Sequence, residues 1–460
     1  MQAWLPDFVY ADGQFLSDRA VVCDESGNIK QVVESSQAPH AIRLQNRALL
    51  PGMVNAHSHA FQRVIRGRTE CRSQHTNDSF WTWREQMYAA ANRLEADDIY
   101  AVSRMAFLEM ALTGITAVGE FHYIHHSPDG SPYSDPNLLA REVIRAARDV
   151  GIRIALLRVA YARAGFETEA NPLQVRFIEN SPEIYLQHLE QLLSAPELQD
   201  GFAWAGVAPH SVRAVPLDYL KSIVPFANER GLRVHMHVAE QPAEVEACIQ
   251  EYGRSPVALL DTEGFLSPSF TAVHAIHVTP KAIGSIARAG ASVCACPTTE
   301  RNLGDGVVPV DAYFKASVPV SLGTDSQIQI DLLEDARQLE YHLRLQQTAR
   351  NVLAPADDAS SSALARRLFD CATINGARCI GFGGGKLEVG APADFFTVDL
   401  DDPSIAGSSR EDLLANVVFS LARAAVRDVV VAGRRIVEDG RHRDQESIIE
   451  SFKNSLRRSA

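Results

Sequence analysis

Four times along this chain a helical pattern ends in glycine and an apolar stretch follows at once: "LTGITAV" at Gly114, "DVGIRIALL" at Gly151, "ERGLRVHMH" at Gly231 and "RAGASVCA" at Gly290. A glycine just past a helix takes the left-handed cap that other residues resist. The stretches that follow are apolar on both faces, as buried parallel strands are. Extending the pattern gives eight strands: Met53–His57, Ile115–Phe121, Arg153–Ala160, Ala203–Ala208, Leu232–His237, Thr271–Ala275, Ala291–Ala295 and Pro319–Gly323. Helical patterns lie between them. This predicts an α/β fold, a TIM-type (β/α)8 barrel. A doubly wound open sheet is the rival, but no early strand leads into a glycine-rich dinucleotide loop.

Both chain ends follow a different rule. Residues 1–50 and the stretch from about 383 hold short alternating strands, with turns at Ser26-Gly27-Asn28, Ala432-Gly433 and Asp439-Gly440 that suit hairpins. The two ends are expected to pair into one small β-sandwich, 1–50 plus 383–460, beside a barrel domain of 51–382. The seven cysteines are scattered and odd in number, so no disulfide framework is expected, and Cys294-Ala-Cys296 reads as a pair of buried thiols. No secretory leader pattern and no membrane-length apolar run is present, so a cytoplasmic protein with no membrane partner is expected. The net charge of −13 argues against nucleic acid as a partner.

Catalytic groups of such a barrel gather at the C-terminal ends of its strands. The first strand ends in His57-Ser58-His59. Residues two apart share one face of a strand, so both rings can reach one point. A lone histidine is more often structural; two at this spacing and place favour a metal. The fifth strand ends "HMHVAEQ", with His237 at its mouth and Glu240 three residues on. Taken alone, Glu240 reads as a solvated loop carboxylate; beside a metal site it is the expected proton carrier. His235, one step deeper, reads as a packed histidine. His274 stands at the mouth of the sixth strand, with His277 beyond it as a wall or surface residue. Asp325 follows the eighth strand, where it could cap the next helix or complete His57, His59 and His237 as a four-group shell. No lysine stands at the mouth of the fourth strand to bridge two ions. One divalent metal is therefore expected, zinc by default.

The set His57-x-His59, His237-x-x-Glu240, His274 and Asp325 resembles the amidohydrolase superfamily in its mononuclear deaminase branch, over almost the whole chain. The words "PGMVNAHSHAFQR", "NDSFWTWREQMY", "GEFHYIHH", "APHSVRAV", "HVAEQ", "CPTTERNLGDG" and "LGTDS" resemble, within that branch, the deiminases acting on N-formimino-L-glutamate. The resemblance implies a cytoplasmic, homodimeric enzyme of histidine degradation that hydrolyses this small dianion. It implies catalytic roles for Glu240, His274 and Asp325. It implies a substrate pocket of Arg84, Tyr123, His210 and Arg213 for the carboxylates, with Gln62 near the formimino or α-amino region. Arginine forks suit carboxylates, and a chain of this net charge needs local cations to hold a dianion. The aromatic loop at Phe80, Trp81 and Trp83 keeps open a deaminase of guanine, cytosine or an adenosine derivative. A silent barrel scaffold is the remaining alternative, although every expected ligand position is filled. At Gln327 the chain departs from the resemblance, where a histidine is more usual.

Overall fold

The computed structural model describes residues 2–72, 78–166, 168 and 171–458. Its centre is a parallel eight-stranded sheet in sequential order: Met53–Ser58, Ile115–His122, Arg153–Ala160, Ala203–Pro209, Val234–Val238, Phe270–His274, Ser292–Ala295 and Val320–Leu322. These are the eight expected strands, shifted by a residue or two at their ends. Every residue of Ile115–His122 and Arg153–Ala160 is buried, as strands covered on both faces must be. All four glycines of the sequence pattern have left-handed φ, Gly114 and Gly151 at 87° and 91°.

The curled sheet closes without a regular ladder between its first and last strands. Ser58 bridges Asp325. The Asp325 amide donates to the His57 carbonyl and the His59 amide to the Asp325 carbonyl, both at 3.0 Å. The barrel is therefore sealed by residues at the C-terminal mouth of its strands.

The chain ends build two further sheets. Four strands from residues 2–43 form one. In the other, Arg47–Pro51 pairs antiparallel with Phe395–Asp399, register Leu50 to Phe396, joining the two ends of the chain. Between the sheets lies a separate small core that includes Trp4, Val9, Val21, Leu49, Phe395 and Val430. The Ala432-Gly433 and Asp439-Gly440 turns have positive φ at both residues, as tight hairpins need. The last helix, Gln445–Arg458, returns to pack on helix Ala96–Ala111, where Arg458 pairs with Asp98. No described helix is long and apolar enough to cross a membrane.

Candidate active site

His57 and His59 project from one face of the first strand, and His237 faces them from the fifth. The His57 Nε2 lies 3.2 Å from His59 Nε2 and 3.1 Å from His237 Nε2. The Asp325 Oδ1 lies 3.5 Å from the first and 3.3 Å from the second. The other ring nitrogens set the tautomers. His59 Nδ1 donates to the Phe121 carbonyl at 2.9 Å and His237 Nδ1 to the His210 carbonyl at 3.0 Å. Their Nε2 atoms therefore present lone pairs to one point. Burial pushes the His57 pKa down to about 3 and holds His59 and His237 below the usual imidazole range. Neutral imidazoles converging on one point, with a carboxylate alongside, fit a divalent cation and little else. All four groups are buried and their ligand atoms lie within 4.8 Å of one another.

His274 behaves differently. Burial alone would lower its pKa, but Glu240, Glu300 and Asp325 surround it and hold it well above the usual range. Its Nε2 is 3.5 Å from Glu240 Oε1 and 3.7 Å from Asp325 Oδ2. Burial pushes the Glu240 carboxyl up to about 7, against the pull of His274. The backbone turns sharply where these side chains leave the barrel: Ala239, His274, Ala275 and Asp325 all have left-handed φ, between 49° and 66°. Non-glycine residues adopt that region at a cost, and such strain clusters at working sites.

Above the histidines lies a small cavity of about 40 Å³. It is lined by His59, His237, Glu240, His274 and Asp325 together with Arg84, Arg213, Gln62, Tyr123 and His210. His57 sits beneath. Every site residue expected from the sequence is thus gathered here. The Gln62 amide donates to the Tyr123 hydroxyl at 2.9 Å, while its Oε1 is buried without a partner. Among the described residues the buried Arg84 Nε and Nη1 and the Arg213 Nη1 also find no partner. Among the described residues neither guanidinium is within ion-pair distance of a carboxylate. The two cations share the Trp81 ring, with Cζ atoms 4.5 and 5.8 Å from its centroid. One expectation needs correction: Arg84 is not on a loop. Phe80–Ala91 is a helix whose start is capped by Ser79 and Thr82. Asn77, at the head of the "NDSFWTWREQMY" word, lies outside the described residues.

Sequence reasoning missed the groups behind the site. Glu300 accepts from His274 Nδ1 at 3.2 Å and from the Cys296 amide at 2.8 Å. Glu120 accepts from Ser58 Oγ at 2.5 Å and from the Ala60 amide at 2.7 Å, gripping the chain on both sides of His59. Both stand at strand mouths, Glu120 at the second and Glu300 just past the seventh, so the rule that found His237 could have found them. Gln327 does not line the cavity; it donates to Ser58 Oγ at 2.8 Å and to the Asp325 carbonyl at 3.0 Å, bracing the barrel seam. His235 is packed, bonded to the Cys379 carbonyl at 3.0 Å, and His277 to the Asp305 carbonyl at 2.8 Å. Cys294 and Cys296 are buried free thiols.

A closed parallel barrel with this group at its strand ends defines a hydrolase of the metal-dependent barrel class. The chain belongs to the amidohydrolase family, whose model matches residues 48–436. It is 39% identical over 427 residues to formimidoylglutamate deiminase of Pseudomonas aeruginosa, covering 93% of this chain and 92% of that one. It is 28% identical to a 5-methylthioadenosine/S-adenosylhomocysteine deaminase of Natronomonas pharaonis, covering 95% and 91%. The crystal structure of an amidohydrolase from Brucella melitensis superposes with a TM-score of 0.90 at 34% identity, over the full length of both chains.

Proposed function

We propose that this chain hydrolyses N-formimino-L-glutamate to N-formyl-L-glutamate and ammonia, a cytoplasmic step of histidine degradation carried out by a homodimer. The observation that carries this is the composition of one cavity: a histidine and carboxylate cluster suited to a metal and to proton transfer shares it with two guanidiniums that have no carboxylate partner among the described residues. The relative from Pseudomonas aeruginosa supports it.

His57, His59, His237 and Asp325 would hold one divalent ion, zinc by the default of such a donor set. When bound, the ion polarises the substrate and lowers the pKa of water toward ~7. The rest is done by side chains. Asp325 takes a proton from the attacking water as its oxygen bonds to the formimino carbon, and His274, held protonated by the carboxylates around it, orients that water. Glu240 gives a proton to the imino nitrogen; as the carbon–nitrogen bond breaks, the second proton of the former water passes to the same nitrogen, the carbonyl forms and ammonia leaves, and the proton held by Asp325 restores Glu240. His274, charged, then faces the developing negative oxygen. The free Gln62 Oε1 accepts an N–H of the formimino group. Arg84 and Arg213, with Tyr123 and His210, take the carboxylates.

Phe80 and Trp83 border the cavity and favour the second reading, a deaminase of a stacked heterocycle. The Trp81 face, however, is taken by the Arg84 guanidinium. Ammonia release from N-formimino-L-glutamate, 5-methylthioadenosine, guanine and cytosine decides between them, with formylglutamate rather than free glutamate as product. No ammonia from the first, or faster release from a heterocycle, sinks the proposal. Metal analysis and sedimentation check the zinc and the dimer.

A further inference from the structure

Arg84 and Tyr88 stand four residues apart on helix Phe80–Ala91 and so share one face. Tyr88 is buried at the cavity wall, with the Arg84 Cζ 5.5 Å from its ring centroid. Behind it, the Gln174 amide nitrogen donates to two phenols, Tyr88 at 2.9 Å and Tyr161 at 2.6 Å. The two phenol oxygens are 3.1 Å apart, so one donates to the other. Tyr161 is fully buried and does not border the cavity. Among the described residues its proton has no other acceptor than the Tyr88 oxygen. That settles the direction of the bond. A hydroxyl oxygen has two lone pairs and one proton. The Tyr88 lone pairs are filled by Gln174 and Tyr161, and its own proton is left facing the cavity.

We propose that Tyr88 is a specificity-determining residue: a hydroxyl that can only donate, completing with Arg84 and Arg213 a wall of donors for a substrate carboxylate. A carboxamide fits that wall poorly. It offers one acceptor edge and one donor edge, and its NH₂ would meet donors alone. The inference rests on the functional reading above and names the group that separates a carboxylate from its amide.

Two measurements test it on wild type, Tyr88→Phe and Tyr161→Phe. One is steady-state turnover of N-formimino-L-glutamate. The other is calorimetric titration with glutarate, a dicarboxylate that lacks the reacting group. In Tyr88→Phe, KM and the glutarate Kd rise roughly tenfold, the worth of one hydrogen bond to a charged group, while kcat stays within about twofold. Tyr161→Phe, which keeps the hydroxyl facing the cavity, costs clearly less. Unchanged KM and Kd in Tyr88→Phe overturn the proposal, since they would mean that the Gln174 amide turns its oxygen to the pair and absorbs both protons. Equal losses in the two variants overturn it as well. If wild type releases no ammonia from the substrate, the functional reading fails instead, and the glutarate titration alone judges Tyr88.

Discussion

Arg84→Met separates substrate binding from stability at one position. The Arg84 Nε and Nη1 are buried without partners, and burial together with Arg213 lowers its pKa. A bidentate carboxylate would supply both partners. Losing it removes charge-assisted bonds worth about 3 kcal/mol together, which is roughly 100-fold in KM. The same bonds hold ground and transition states alike, so kcat stays within about threefold. The free protein responds differently. The stack on Trp81 at 4.5 Å is lost, worth about 1 kcal/mol, but a methionine sulfur against the same ring returns part of it. Two donors no longer go unsatisfied, a relief of about 1 kcal/mol each at a half-buried position. The balance is about 1–2 kcal/mol in favour of methionine. The ligand-free melting midpoint should hold or rise by about 1–2 °C. Glutarate at 100 times its wild-type Kd should stabilise wild type by about 2.7 kcal/mol and the variant hardly at all. Thermal melts with and without glutarate, beside initial rates, test both halves. A KM within about threefold of wild type, or a midpoint several degrees lower, would refute the reasoning and make Arg84 a structural residue.

Other perturbations reach the remaining parts of the site and fold. Glu240→Gln should lower kcat roughly 10³-fold while metal content by elemental analysis is unchanged, because Glu240 carries protons and is not in the ligand cluster. Glu300→Ala should lower kcat about 10- to 100-fold with little change in KM, and Glu300→Gln should restore much of it, since an amide oxygen can still accept from His274 Nδ1; equal losses in both variants would assign Glu300 an electrostatic role instead. Arg158 and Glu179 form a buried bidentate pair at 2.6 and 2.9 Å, so Arg158→Met should cost about 3–5 kcal/mol in denaturant unfolding. Burial opposes it, but Arg158 and His125 hold the Glu179 carboxyl well below the usual carboxylate range. A depressed folded pKa gives stability that is full above the unfolded value and lost as pH falls, so wild type should weaken below about pH 4.3 and Glu179→Gln should flatten that acid limb.

The barrel was legible because parallel strands are buried on both faces and write unbroken apolar runs, four of them entered through a glycine such as Gly151. The residues of the candidate site were legible because one rule, strand ends facing one mouth, applies to His57, His237, His274 and Asp325 alike. The helix carrying Arg84 was not. Phe80, Trp83, Met87 and Tyr88 fall at i, i+3, i+7 and i+8, but Trp81 blurs that stripe, and its cap pairs Ser79 with Thr82 in place of the usual Glu or Gln. Glu120 and Glu300 were passed over because nothing local tells that a carboxylate turns back toward Ser58 or His274; only the fold supplies those partners. The sandwich pairing of Leu50 with Phe396 joins residues at opposite ends of the chain, and period-two alternation names a face but never a partner. The left-handed His274 and Ala275 were invisible for the converse reason: neither is glycine.

Closing the barrel and building the metal site are one event in this chain. The seam between first and eighth strands is made by Asp325 bonding to the backbone of His57 and His59. Gly323 lets the strands come this near, since a Cβ there would lie 2.7 Å from that of His57. These candidate ligand atoms are therefore placed by barrel closure, and the His57 Nε2 is left facing those of His59 and His237 at 3.2 and 3.1 Å, an arrangement that a cation would relieve. The guanidiniums of the same cavity are incomplete in the reverse sense. Arg84 and Arg213 sit together, short of hydrogen-bond partners among the described residues, in a protein of net charge −13. One group lacks a cation and the other lacks anions. Under the proposed function a metal ion would complete the first and a dicarboxylate the second. The reacting carbon of such a substrate would then lie near Glu240, His274 and Asp325, which is why the two deficits belong to a single site.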